Sequence, residues 1–557
     1  MRTKNLLLAI LAIILILSLT INIFQWRDSN SFNHKIEMAE SLFNLNFTES
    51  ERDSMISGLT EAKQMYEKIH SYEIPNSLAP TAIFNPIPFG YMQEVQKKTN
   101  NYNIPKNLTL PENREELCFY TVSELSSLIK ERKITATELT KIYLDRIKRY
   151  DKELKCVVTL LEERALQQAA IVDEEISNGN YKGILHGIPY GVKDMLALEG
   201  YPVTWGSPIY KDQIAENTAT VIDKLDNAGA ILVAKLSLGE FAMGDVWFGG
   251  KTRNPWNTER GSSGSSAGSA SATAAGLVAF SIGSETWGSI ISPSTICGVT
   301  GLRPTFGRVS RYGAMTLSWS MDKLGPICRS AQDCAIVLEA INGFDSKDPA
   351  SQNIAFNYNA KKDIKTLRVG YFKELFEDSY HNKMNDSIAL NELISLGIDL
   401  IPVELPKDIP ADALSIILDA EAAAAFSDIT LSNKDDMMVL QHARAWPNAF
   451  RMARFIPAVE YIQAQRIRQN LIDAFAEIFK SVDVIITTSF GGNQLLMTNL
   501  TGHPAILVPN GFNDENLPTS FTIIANWHNE SDLVLLSEAY QQKTKFFREY
   551  PENFKVK

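Results

Sequence analysis

The chain has 557 residues, 45% of them hydrophobic and 21% charged, the make-up of a globular protein able to bury a sizeable core. A formal net charge of −11 and a pI near 5.4 argue against nucleic acid as a partner, since no basic tract offsets phosphate repulsion. Five cysteines without zinc-type spacing predict neither a disulfide framework nor a metal site.

Taken in chain order, Arg2 and Lys4 precede an uncharged apolar run, residues 6–24. As a helix it would be roughly 28 Å long, close to the hydrocarbon thickness of a membrane. Ser18-Leu19-Thr20 is a poor cleavage site, so the reading favours an uncleaved anchor over a cleaved signal peptide for residues 1–25. Either way the body of the protein is expected outside the cytoplasm, anchored in the membrane through residues 6–24 or secreted.

Residues 26–115 read as an accessory region. Thr48 and Glu51 form a capping box opening a helix towards His70, and six prolines between Pro75 and Pro111 then punctuate an extended segment. Two more capping boxes follow, Thr121 with Glu124 and Thr135 with Glu138. Beyond them, apolar runs at 231–234, 367–372, 482–488 and 505–508 read as buried strands among helices, which predicts an α/β fold with a covered central sheet.

Three places carry chemistry. Lys193 ends a strand-like run, HGIPYGVKDML, that should take it into the interior, where desolvation turns a lysine into a neutral base. Residues 261–276 are Gly, Ser or Ala at every position except Thr273, and lead directly into the apolar run 277–282, which argues against a flexible linker. Ser289 follows a strand in GSETWGSI, a turn whose backbone N–H groups can converge on one point. Two other matches are discounted. Gly264–Gly268 fits the nucleophile-elbow pattern around Ser266, with His503 or His528 as its partner, but no hydrophobic strand precedes it. Ser127 to Lys130 fits SxxK, inside an amphipathic helix and without the KTG that completes such a site.

Together these elements resemble the amidase signature family. The carriers are GIPYGVKD at 187–194, GSSAGSA at 264–270 and GSETWGSIISP at 283–293, followed by CGVTGLRPT at 297–305. Asn254–Asn257, Met321–Pro326 and Asn499–Pro504 support them, and the likeness spans roughly residues 119–545. It implies a central mixed, twisted sheet covered by helices on both faces, with residues 116–557 as the amidase domain. It also implies a catalytic Ser–Ser–Lys triad, Ser289, Ser265 and Lys193, with an unusual cis peptide bond at Ser265. The oxyanion hole would come from the N–H groups of Thr286, Trp287, Gly288 and Ser289. No cofactor or metal is expected.

Two positions depart from the family, Trp287 where most members have Gly and Ile291 where most have Arg. The indole must point into the substrate pocket or pack behind the loop; the peptide amidase-like branch of the family also lacks the Gly and shares the acid at Glu285. Residues 420–465 are expected to line the pocket. The main expectation is an amidase forming an acyl-enzyme on a small-molecule or peptide amide. The alternatives are a non-catalytic amidase-fold scaffold and the amidase subunit of a tRNA-dependent amidotransferase, the latter set against the export segment.

Overall fold

A computed structural model describes residues 4, 5, 8, 10–18, 32–70, 75–77, 82–87 and 97–555. It contains two compact units, Met1–Ile74 and Pro75–Lys557. In the smaller, helices Phe32–Phe43 and Glu49–His70 are joined by Arg52, which donates to Glu40 at 2.9 and 3.1 Å. The capping box expected at Thr48 is present, with reciprocal bonds to Glu51 of 2.6 and 3.4 Å.

The expected membrane helix is not supported. Residues 6, 7, 9 and 19–24 of that span lie outside the described residues, and among the described residues no helix is long and apolar enough to cross a membrane.

The larger unit is built on one mixed sheet. Its strands are β1 (Val157–Leu160), β2 (Pro189–Lys193) and β3 (Ile231–Leu236). After two short hairpins, β4 (Val246–Trp247) with β5 (Gly250–Lys251) and β6 (Arg253–Asn254) with β7 (Asn257–Gly261), come β8 (Phe280–Glu285), β9 (Thr300–Arg303) and β10 (Lys323–Cys328). The remainder are β11 (Val369–Phe372), β12 (Leu400–Val403), β13 (Val484–Thr488), β14 (Ala505–Phe512) and β15 (Pro518–Ala525). Eleven strands pair in the order β1-β3-β2-β8-β10-β9-β14-β15-β13-β11-β12. Each apolar run read as a strand becomes one, at β3, β11, β13 and β14. Every residue of β2, β3, β8 and β10 is buried, so helices or loops cover both faces there.

Topology places the chemistry. β2 lies parallel to β8 with Val192 opposite Ile282, so Lys193 and Ser284–Glu285 emerge at the same edge of the sheet. β10 runs antiparallel to β8 with Lys323 opposite Glu285, which brings Asp322 to that edge as well.

The Gly/Ser/Ala run is no linker. It forms a helix, Ala267–Ala274, buried at every position. Small side chains are required because the backbone passes so close to its neighbours. A Cβ on Gly268 would sit 2.4 Å from the Cys156 carbonyl and 2.5 Å from the Ser237 nitrogen.

A buried arginine ties the chain's ends to this core. Arg146, on helix Ala136–Leu154, donates to the carbonyls of Gly276 (3.2 Å), Ala275 (2.8 Å) and Phe554 (3.0 Å) and pairs with Glu115 at 3.2 Å. Leucine at 146 leaves those acceptors buried and unpaired, each costing about 1–3 kcal/mol. Arg146→Leu should therefore lower stability by about 3 kcal/mol or more, read as a fall in the urea midpoint at unchanged slope.

Candidate active site

Lys193 stands at the end of β2 with its amine wholly buried among hydroxyls. Nζ donates to Ser265 Oγ at 2.7 Å and Ser284 Oγ at 2.7 Å, and reaches Ser266 Oγ at 3.3 Å. Desolvation brings its pKa down to about 7, although the charges of Asp322 and Glu285 pull the other way. Sequence reasoning anticipated the buried lysine but missed Ser284 and set Ser266 aside. Ser266 Oγ in fact bonds both the N–H and the carbonyl of Ser284, at 3.1 and 3.0 Å.

The peptide bond between Gly264 and Ser265 is cis, as the family resemblance implied. Ser265 Oγ accepts from Lys193 Nζ at 2.7 Å. No hydrogen bond links the Ser265 and Ser289 hydroxyls among the described residues; instead the Ser266 N–H donates to the Ser289 carbonyl at 3.1 Å, holding the two loops together. His503 and His528, considered as partners for Ser266, are engaged elsewhere. His503 bonds Thr501 Oγ1 at 2.6 Å and His528 meets Arg308 at 3.2 Å.

Ser289 closes the turn after β8 and is 8% exposed. Among the described residues the N–H groups of Trp287, Gly288 and Ser289 donate to no protein acceptor, so three donors of one turn are free for a substrate oxygen. Gly288 takes φ +86°, a left-handed conformation that favours glycine. Trp287 is 43% exposed as a residue.

Glu285 braces this turn from below. Its carboxylate accepts the N–H groups of Ile290 (2.8 Å) and Ile291 (2.9 Å), the Asn499 amide (2.8 Å) and Arg303 Nη1 (2.7 Å). Burial opposes its ionisation, but Arg303 and these donors hold it below the usual carboxylate range. Ile291 thus leaves the loop supported, through its backbone rather than through a side-chain charge. Asp322 steadies the other side, accepting Thr286 Oγ1 at 2.6 Å and the N–H groups of Leu317 (2.8 Å) and Ser318 (3.0 Å). In the sequence only the stretches around Asp322 and Asn499 stand out, and without roles.

A cavity of about 580 Å³ borders the site through Ser284 and Asp322. A second, about 990 Å³ and mostly apolar, is lined by Ala420, Glu421, Ala424, Tyr461 and Gln465 among others; these fall in the stretch expected to line the substrate pocket, but Lys193, Ser265 and Ser289 do not border this cavity.

The family model "Amidase" matches residues 138–534. The chain belongs to the amidase signature family. It is therefore an enzyme of a family that hydrolyses amide C–N bonds, as expected. It is 33% identical over 479 residues to a glutamyl-tRNA(Gln) amidotransferase subunit from Coxiella burnetii, covering 78% of this chain and 99% of that one. The same subunit from Thermoanaerobacter pseudethanolicus is 34% identical, covering 77% and 98%. Among solved structures, the peptide amidase of Stenotrophomonas maltophilia superposes with a TM-score of 0.68 at 30% identity, covering 76% of this chain and 97% of that one.

These relatives also correct the expected location. A membrane-anchored or secreted catalytic domain outside the cytoplasm is overturned, because the curated relatives are amidotransferase subunits and no described helix can cross a membrane.

Removing the Glu285 carboxylate would leave Arg303 charged in the interior, a loss of about 3–5 kcal/mol. Glu285→Ala should accordingly unfold at a clearly lower temperature than the parent chain in a calorimetric scan.

Proposed function

We propose that the site cleaves a carboxamide through an acyl-enzyme on Ser289. The observation that carries this reading is the wholly buried Lys193 amine, hydrogen-bonded to Ser265 at 2.7 Å with no carboxylate bonded to it among the described residues. Ser289 Oγ attacks the carbonyl carbon as its proton passes to Ser265 and the proton of Ser265 to Lys193. The carbonyl oxygen takes the developing charge at the N–H groups of residues 286–289. The C–N bond then breaks, the nitrogen leaves with a proton returned through Ser265, and water hydrolyses the ester by the same relay.

Two uses of that chemistry compete, and the amidotransferase subunit is the better supported. The curated relatives match over 98–99% of their own length. The objection drawn from an export segment has also fallen. On that reading the carboxamide is an ammonia source for a partner; a free-standing amidase, like the peptide amidase neighbour, is the second reading. A non-catalytic scaffold is disfavoured by the intact lysine–serine pair. We take residues 116–557 as the amidase module and 26–115 as an accessory region, of which the part from Pro75 belongs to the larger unit.

Ammonia release from free glutamine and from a C-terminally amidated peptide separates the two uses. Turnover of glutamine, with the peptide amide untouched, is expected for the amidotransferase subunit; the reverse outcome supports a peptide amidase. Ser289→Ala should lower kcat by about 10⁴-fold or more with the fold intact. Ser265→Ala and Lys193→Ala should each remove most of the rate, and the double variant little beyond either, since the relay acts as a unit.

The pH profile follows from the lysine. Its pKa lies near 7 in the folded chain against an ordinary value of 10.5. The neutral base is thus lost as pH falls through 7. kcat/KM should drop about tenfold per pH unit below that point and be flat above it to about pH 9. A profile flat from pH 5 to 9 would remove Lys193 as the base.

A further inference from the structure

Two short stretches ahead of the family match, Pro75–Ser77 and Ala82–Ile87, lie in the larger unit and against its active centre. Asn76 imitates a strand partner. Its amide nitrogen donates to the Thr316 carbonyl at 2.8 Å and its oxygen accepts the Thr316 N–H at 2.8 Å. Phe84 lies on the buried guanidinium of Arg468, 3.5 Å from Cζ to the ring centre, and meets Phe306 edge-on at 5.1 Å.

Both contacts reach the same loop. Arg468 donates to Ser320 Oγ and to its carbonyl, each at 2.8 Å, while Asn76 holds Thr316 at the other end. Between them, Ser318 Oγ and the Ser320 N–H bond Glu421 at 2.6 and 3.0 Å, and Asp322 ends the segment by accepting Thr286 Oγ1. Loop 316–322 thus bonds Asn76 and Arg468 along its length and Thr286 at its end, next to the turn that carries the free N–H groups. The same stretches also wall the two cavities, Asn76 the one that borders Ser284 and Phe84 the larger apolar one.

We propose that Asn76 and Phe84 are positioning residues of the active site, acting through loop 316–322 on the oxyanion turn at Thr286–Ser289. The inference rests on the Ser289 reading above. It gives the chain ahead of the amidase module a part in turnover and not only in folding.

The test uses the full chain and two probes, ammonia release from whichever of glutamine and the amidated peptide the parent chain turns over, and the rate at which phenylmethanesulfonyl fluoride modifies Ser289. Asn76→Ala and Phe84→Ala should each lower kcat and the sulfonylation rate together, roughly 10- to 100-fold, with KM nearly unchanged. Phe84→Trp, which keeps a ring on Arg468, should restore most of both. If either alanine variant fails to fold, Asn76→Asp and Phe84→Leu keep the volume while removing the donor or the ring, and should show the same losses. A lower melting temperature with unchanged kcat and sulfonylation rate overturns the proposal. Mass spectrometry of the sulfonylated peptide separates the two ideas. Label on a residue other than Ser289 overturns the nucleophile assignment and this inference with it, whereas label at Ser289 at an unchanged rate overturns this inference alone.

Discussion

Everything at this site depends on a lysine amine held out of water without a carboxylate touching it. Desolvating an ammonium is costly, and a protein ordinarily offsets that cost with an adjacent anion, which restores the charge. Lys193 is given hydroxyls instead, from Ser265, Ser284 and Ser266. A hydroxyl can accept from an ammonium or donate to a free amine, so the surroundings tolerate either state and favour neither strongly. That ambivalence is what a proton relay needs. The carboxylates whose charges raise its pKa, Asp322 and Glu285, are bonded to Thr286 and Arg303 and make no hydrogen bond to the lysine amine among the described residues.

Placing three hydroxyls around one amine demands close backbones, and here composition becomes geometry. The helix Ala267–Ala274 runs behind β8 with side chains no larger than threonine, and Gly268 touches the Cys156 carbonyl and Ser237 nitrogen where no Cβ fits. The tight approach puts Ser265 and Ser266, at the start of that helix, within reach of Lys193 on β2 and Ser284 on β8. A larger residue in the run would part the strands from the helix and open the cluster.

Much of this was legible in the chain. The apolar runs became strands because burial on both faces asks for just such runs. The lysine was visible because a charge at the end of an apolar strand is anomalous. The turn around Ser289 was visible because its glycines and its position after a strand are local features. What could not be read were partners distant in sequence. Arg303 and Asn499 meet Glu285 only because β9 lies across β10 from β8 and the fold brings the helix before β14 to the same carboxylate, and nothing local to either residue says so. Ser284 was passed over as one serine among many. Ser266 was set aside on a sound argument about the strand before it, which excluded one mechanism and said nothing about a supporting role. The apolar start of the chain was read as an address, and among the described residues no helix is long and apolar enough to cross a membrane.

The neighbouring lysines show why burial alone does not make a base. Lys235, on β3 beside β2, is as deeply buried as Lys193, and desolvation lowers its pKa too. But it forms an ion pair with Asp194 at 2.8 Å and donates to the Pro202 carbonyl, so its proton is held by a fixed anion. Asp194 in turn accepts Thr204 through its N–H and hydroxyl, which pins the chain directly after Lys193. Lys323, at the start of β10, lies opposite Glu285; its amine makes no hydrogen bond among the described residues and is pushed well below the ordinary lysine range by burial and by the Arg303 charge. Its carboxylate neighbour is already committed to Arg303, and no hydroxyl hands its proton onward. Of the three, only Lys193 combines desolvation with a partner that can pass a proton on. The chemistry is set by which neighbours the sheet brings to each amine, and the sequence between Pro189 and Leu236 places a structural lysine and a reactive one on adjacent strands.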